Sequence, residues 1–296
     1  MTFAIQSGEF FGLFGPNGAG KTTLIRVLTT LVIPTAGTAQ IQGIDVIRDP
    51  ARVRLLLGLV FSNENSFYGR LTGRENLEYF AALQNLSPIT ARRRAGELFD
   101  FFDLARAADA PFQSYSTGMR QKLNVARALL HDPPVIFLDE PTKGMDVLTA
   151  ETLRLLLRNE LVERQGKTVL LTTHDLEEME SLCDRVGIIE EGRLRAVGAP
   201  ADLIREASAT VVYRLELTGA VNGLVAQLAA LPAVKSVAVV SGGESSLALD
   251  VVLDDAPASD AELWEALIAR KVKVKRYGPR EDGLVTLLRR PSLDNL

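Results

Sequence analysis

Residues 15–23 of this 296-residue chain read G-P-N-G-A-G-K-T-T, and no other stretch restricts the fold as strongly. Gly15, Gly20, Lys21 and Thr22 fit G-x-x-x-x-G-K-[ST], with the strand-like EFFGLF before it and the helical TTLIRVLTTL after it. Glycines let a backbone wind so that successive N–H groups and the start of the next helix converge on phosphate oxygens. Lys21 adds a point charge for the β and γ phosphates, and the Thr22 hydroxyl is a ligand for Mg²⁺. A strand, a phosphate loop and a helix in this order predict an open α/β sheet with a nucleotide at the carboxyl ends of its strands.

The rest of the chain agrees with that class. Short apolar runs bounded by Gly and Pro recur at EFFGLFG, TAQIQG, VRLLLGLVF, PVIFLDE, KTVLLTT and RVGIIEEG. Across residues 68–130 the strands give way to helical patterns: ENLEYFAALQNL, ARRRAGELFDFFDL and GMRQKLNVARALL. Leu98, Phe101, Phe102 and Leu104 form an apolar stripe there, opposite a solvated face of Arg92, Arg93 and Arg94. After GAPADLIREA the texture changes to strands (RLELTG, KSVAVVS, SLALDVVLDD, KVKVKRYG) around the helices GLVAQLAAL and DAELWEALIA, with SGGESS as a hairpin turn.

Charge and thiol content narrow the partners. With 33 Lys+Arg against 37 Asp+Glu, the net charge of -4 carries no footprint for nucleic acid. No apolar run reaches the length of a membrane span, and no secretory signal opens the chain. The one cysteine, Cys183, reads as a buried thiol in a reducing compartment. These features predict a cytoplasmic protein.

A second phosphate-site element is PVIFLDEP, which puts Asp139 and Glu140 at the end of a strand. Asp139 is placed to hold Mg²⁺ and Glu140 to polarise an attacking water. At this point the residues identify a family. GPNGAGKTT, YSTGMRQKLNVARALLHDPPVIFLDEPTKGMD and TVLLTTHDLEEME, in this order, resemble the nucleotide-binding subunits of ATP-binding cassette (ABC) transporters, with the nearest likeness to the ATPase subunits of drug- and polyketide-resistance type exporters.

The resemblance implies an α/β fold: a P-loop NTPase core of ABC type with an antiparallel β subdomain and a helical insertion over residues 68–130, plus a small C-terminal α+β domain. The expected division is residues 1–206 and 207–296. ATP with Mg²⁺ would sit on Gly15, Pro16, Asn17, Gly18, Ala19, Gly20, Lys21, Thr22 and Thr23. Ser116, Thr117, Gly118 and Met119 match the family signature that closes the opposite subunit's site, and Asp146 matches its dimer-contact loop. Lys21, Glu140 and His174 would carry hydrolysis, His174 by contacting the γ-phosphate. The implied partners are a separate transmembrane permease and a second ATPase subunit, identical or homologous. Association with the inner face of the cell membrane would run through the permease.

Two departures from the family pattern stand out. MTFAIQSGEF begins inside the S-F-x-x-x-x-G-E segment, without the preceding strand whose aromatic residue stacks on adenine. Either the start lies upstream or a contact of roughly 1 kcal/mol is missing; Phe3 is expected in the core instead. Ser62, followed by Asn63, stands where the family places a glutamine that reaches Mg²⁺, so Ser62 through a water, or Asn63, is the candidate replacement. Residues 65–75, with Phe67, Tyr68 and Leu71, are the candidate docking surface for the permease. Arg270, Lys271, Lys273, Lys275 and Arg276 read as a solvated strand face and Trp264 as core. The competing readings are a soluble ABC ATPase working on a ribosome or nucleic-acid machine, and a nonhydrolysing ATP-binding module.

Overall fold

The computed structural model describes residues 1–61, 66–208, 212–219, 221, 223–243, 246–253, 259–270 and 272–279, and divides into two compact units, Met1–Pro200 and Ala201–Leu296. The first unit begins with β1 (Phe10–Phe14), whose five residues are all buried, then the phosphate loop and α1 (Lys21–Leu28). A two-stranded antiparallel hairpin follows, β2 (Gln40–Ile41) with β3 (Ile44–Asp45), then α2 (Pro50–Leu55) and β4 (Leu57–Phe61). The run VRLLLGLVF is therefore not one strand. Pro50 opens a helix and Asp49 caps it by accepting the Arg52 N–H, so Val53 to Leu55 are helical and the strand starts only at Leu57.

The helical segment comprises α3 (Gly73–Leu83), α4 (Pro88–Phe101) and α5 (Thr117–Ala128). Thr72 and Glu75 form a reciprocal capping box at the start of α3, and Ser87 and Ser116 cap the other two. Of the expected stripe, Leu98 on α4 and Phe102 and Leu104 just past its end are at 5% exposure or less, whereas Phe101 is only half-buried and Phe99 takes the inward position beside it. The arginine face is only partly solvated. Arg92 and Arg93 are exposed, but Arg94 turns inward to donate to the carbonyls of Leu129 (2.9 Å) and Leu130 (3.2 Å), the unsatisfied end of α5.

The remaining elements are β5 (Val135–Asp139), α6 (Val147–Leu156) continuing as a π-helical stretch Leu157–Arg164, β6 (Thr168–Thr173), α7 (Leu176–Leu182), β7 (Arg185–Glu190) and β8 (Arg193–Gly198). Six strands form one sheet in the order β4-β5-β6-β1-β7-β8, parallel except for β8. The sheet's centre is buried along its whole length: β5, β6 and β1 are buried at every position, as strands covered on both faces are, with polar residues at the ends, Thr168, Thr172, Thr173 and Asp139. Phe3 packs into this core, its ring stacked on Phe11 at 5.4 Å. Cys183 is buried, and burial pushes its thiol well above the ordinary value.

The second unit runs α8 (Pro200–Ser208), β9 (Val212–Thr218), α9 (Leu224–Ala229), β10 (Val234–Gly243), β11 (Ser246–Leu253), α10 (Ser259–Ala269) and β12 (Lys273–Pro279). Its strands pair antiparallel in the order β10-β11-β9-β12. From β9 onward this is the β-α-β-β-α-β arrangement of ferredoxin-like folds. Leu215, Leu217, Leu249 and Val251 on one sheet face form a core with Leu224, Leu228, Leu263 and Leu267 from the helices. Trp264 is partly buried against Tyr277, which itself stacks on Tyr213. Of the expected turn SGGESS, residues 241–243 belong to the end of β10 and Ser246 to the start of β11; Glu244 and Ser245, like Lys271, lie outside the described residues. Among the described residues, no helix is long and apolar enough to cross a membrane.

Candidate functional site

The sheet order places β1 between β6 and β7, with β5 one strand further, so the loops leaving β1, β5 and β6 open on the same edge. At that edge a cleft of about 530 Å³ is lined by residues 17–23 together with Arg26, Phe61, Asp139, Glu140 and Lys143.

Close packing fixes the phosphate loop. A Cβ on Gly15 would meet Ile189 O at 2.2 Å, so only glycine lets the chain leave β1 this close to β7. Gly20 takes φ 104° just before α1, and no side chain caps that helix. The first N–H groups of α1 are therefore free for a ligand, and the helix dipole favours an anion there. The Lys21 ammonium is buried and donates to Gly15 O (2.6 Å) and Pro16 O (3.1 Å). Burial lowers its pKa, against the opposing pull of the Glu140 and Asp139 carboxylates. Thr23 lines the same cleft from the first turn of α1.

Asp139 ends β5 at 8% exposure, with one oxygen taken by the Thr172 hydroxyl and the other 3.4 Å from Thr22 Oγ1. One hydroxyl and one carboxylate facing the same cleft suit a hard cation. Among the described residues no cluster of three or more His, Cys, Asp or Glu forms a closed cage. Mg²⁺ that keeps its waters and shares ligands with phosphates needs none, so the donor set fits it. Ser62 and Asn63 lie outside the described residues.

Glu140 follows with φ 49°, a left-handed conformation that costs a non-glycine residue about 1–3 kcal/mol. Its N–H is held by Thr172 O at 3.1 Å, which re-aims the side chain from the strand into the cleft. Glu140 Oε1 lies 2.8 Å from His174 Nδ1, a contact that requires a proton on Nδ1, and Oε2 accepts from Lys143 Nζ at 2.8 Å. Burial opposes the Glu140 charge, but the hydrogen bonds from Lys143 and His174 outweigh it and hold the carboxyl below the usual glutamate value. Lys143 is the residue that sequence reasoning missed. Its spacing of three from Glu140 in E-P-T-K was the available signal.

The other predicted residues gather elsewhere. Ser116 caps α5 through Met119 N–H (3.2 Å), and Asp146 caps α6 through Thr149 N–H (3.0 Å). Residues 116–119 and Asp146 line a second cleft of about 500 Å³, which shares no lining residue with the first. A Cβ on Gly118 would come within 2.9 Å of Thr149 Cγ2, so α5 and α6 approach closely at this wall. In the segment expected to dock a partner, Phe67 is packed between Phe80 and Phe112, whereas Tyr68 is exposed and paired edge-on with Tyr79.

A glycine loop feeding an uncapped helix, with Asp-Glu closing a strand two places away in the sheet and a histidine on the glutamate, defines a P-loop nucleoside triphosphatase. Comparison with known proteins narrows the class. A family model described as ABC transporter matches residues 1–143. The chain is 38% identical over 298 residues to the daunorubicin resistance ATP-binding protein DrrA2 of Streptomyces coeruleorubidus, spanning 99% of this chain and 86% of that one. It is 37% identical over 199 residues to the ABC transporter ATP-binding protein NatA of Bacillus subtilis (strain 168), spanning 67% and 80%. A solved dimer of the ATP-binding cassette MJ0796 in a post-hydrolysis state, bound to ADP and Pi, superposes with a TM-score of 0.61 at 30% identity, covering 67% of this chain and 88% of that chain. This chain belongs to the ABC transporter family, as one of its ATP-binding, ATP-hydrolysing proteins.

Proposed function

We propose that this protein is the ATPase subunit of an exporter whose transmembrane permease is a separate chain, working at the cytoplasmic face of the membrane on a drug-like or lipidic compound. The observation that carries this reading is the 298-residue match to a daunorubicin resistance ATP-binding protein, which spans both compact units. In this reading residues 1–206 are the nucleotide-binding domain and residues 207–296 a small α+β domain attached to it.

The separation of residues 116–119 and Asp146 from the phosphate cleft, with no lining residue shared, is consistent with a site completed by another subunit. The Gly15–Lys21 cradle of one copy would face Ser116, Gly118 and Asp146 of a second copy or a homologue, enclosing ATP between them. Mg²⁺, when bound, neutralises charge on the β and γ phosphates, with Thr22 and Asp139 as its protein ligands. Each residue then has a defined task. The N–H groups of the loop and Lys21 hold the triphosphate. Glu140 accepts a hydrogen bond from the attacking water, and His174 fixes the carboxylate through its 2.8 Å contact. Hydrolysis would remove the phosphate contacts that the two faces share and release them, and that motion is what a permease can use.

The test is purification of the chain from membranes with whatever integral protein accompanies it, followed by a screen for compounds that stimulate ATP turnover. Co-purification of a multi-span protein and stimulation by amphipathic drugs are expected. Recovery with ribosomes instead would overturn the proposal.

A further inference from the structure

Glu178 is a carboxylate at 2% exposure, on α7, that takes no part in the chemistry described above. A charge this deep requires partners. It accepts a hydrogen bond from the Thr142 hydroxyl and lies 3.5 Å from Arg154 Nε. Thr142 stands two residues after Glu140, and Glu178 four residues after His174. The same two chain segments are thus joined twice, once by the Glu140–His174 contact at the mouth of the cleft and once, further in, by Thr142–Glu178.

Both ends of the inner link are themselves anchored. Thr142 O accepts the Met145 N–H at 3.1 Å, and the Glu178 N–H reaches the Asp175 cap at 3.3 Å. Arg154, on the helix that Asp146 caps, also contacts Asp175 (3.4 Å) and Glu177 (3.8 Å). A shift of α6 is therefore passed to the start of α7, immediately after His174.

We propose that Thr142, Glu178 and Arg154 are positioning residues that set the spacing of Glu140 and His174 and tie it to the loop ending at Asp146. The inference rests on the reading that Glu140 and His174 carry hydrolysis. The inner link fixes the separation of the two segments, so the outer contact inherits its length, and an error of about an ångström there lowers turnover up to about a hundredfold without touching the phosphate loop.

The experiment measures MgATP hydrolysis by the full chain carrying Thr142→Val, Thr142→Ser, Glu178→Gln and the Val/Gln double substitution, with melting temperatures for each. Thr142→Val should lower kcat about tenfold with KM within about twofold, and Thr142→Ser, which keeps the hydroxyl, should restore kcat to within about twofold. The double variant should be no slower than the slower single variant, the mark of a shared link. Equal losses for Val and Ser, additive losses in the double, or a kcat that changes only as far as folding does would overturn the proposal. Should the Glu178 variant not fold, the Val and Ser pair decides alone. Glu140→Gln run in parallel separates the two ideas. If that variant turns over normally, the assigned base is wrong; if it is inactive while Thr142→Val is normal, only the positioning role fails.

Discussion

Gly15→Ala tests whether close packing against β7 shapes the phosphate loop. The added methyl would lie 2.2 Å from Ile189 O, 3.0 Å from Ile189 Cγ2 and 3.2 Å from Ile189 C. Ordinary contact begins at 3.4 Å, so something must move by about an ångström. β7 is poorly able to do so: Ile188 and Ile189 are both fully buried, and Phe14, one residue before the loop, is in register with Ile188. The loop must give way instead. Overpacking of this kind costs about 1–3 kcal/mol, and each kcal/mol lowers the Tm of a domain this size by about 2–4 °C. The functional cost is larger. Gly15 O is the 2.6 Å acceptor for Lys21 Nζ, so moving it displaces both the ammonium and the amides behind it. Each misaligned bond to a charged phosphate forfeits about 1.5–3 kcal/mol, which raises the Kd for ATP about tenfold or more. Gly96→Ala is the control. A Cβ there meets nothing within 4 Å on helix α4, and alanine should gain about 0.5–1 kcal/mol with ATP affinity unchanged. Calorimetric titration with ATP and thermal melts read both quantities. A Gly15→Ala protein that binds ATP as tightly as the parent would refute the steric account of the loop.

Lys21→Ala removes the buried ammonium of the cradle and should weaken ATP binding about 10- to 100-fold in the same titration. Undiminished affinity would contradict the loop assignment. Glu140→Gln keeps the size of the side chain but not its basicity; turnover should fall by about 10² to 10⁴ while ATP-bound dimer accumulates on size exclusion. Phosphate release at the parent rate would remove Glu140 from the mechanism. Asp184 tests pH linkage: burial opposes its charge, but bonds from Arg158 (2.7 Å) and the Phe10 N–H (2.8 Å) prevail and depress its pKa. An acid depressed in the folded state stabilises fully above its unfolded value of 3.8, and that benefit is lost as pH falls through the lower folded value. Asp184→Asn should cost about 1–2 kcal/mol at neutral pH, and melting curves of variant and parent should converge below about pH 4. Curves that stay parallel through that range would show that the side chain acts by packing alone.

Much of this molecule could be read from local signals. The phosphate loop, the Asp-Glu pair and the Ser116 cap are each encoded in a few adjacent residues, because backbone geometry there depends on glycines and short polar side chains. The strand and helix order of the second unit was legible for the same reason: its alternation is clear in SLALDVVLDD and in KVKVKRYG. Where apolar runs merge, the signal fails. Leu55, Leu56 and Leu57 read as one continuous strand, although a helix ends and a strand begins among them; only Asp49 and Pro50 marked the start of that helix. β8 was missed because none of its residues is fully buried, and the turn before it is set by Glu191 and Gly192, both at positive φ. A one-sided edge strand carries little hydrophobic pattern.

Residues whose role depends on distant partners are invisible at this level, however familiar the residue type. Arg92, Arg93 and Arg94 are identical letters in a row, yet only Arg94 reaches the carbonyls of Leu129 and Leu130 just past the end of α5, 35 and 36 residues away. Glu177 and Glu178 are adjacent glutamates on one helix, one with its side chain at 78% exposure and the other at 2%. Helix phase separates neighbours by about 100°, but which phase faces Thr142 and Arg154 is set by how α7 packs between β1 and α6. The residues proposed to carry hydrolysis are thus locally legible and the scaffold that spaces them is not. For this reason the Thr142–Glu178 link, and not another motif residue, is where substitution should separate the speed of hydrolysis from the grip on ATP.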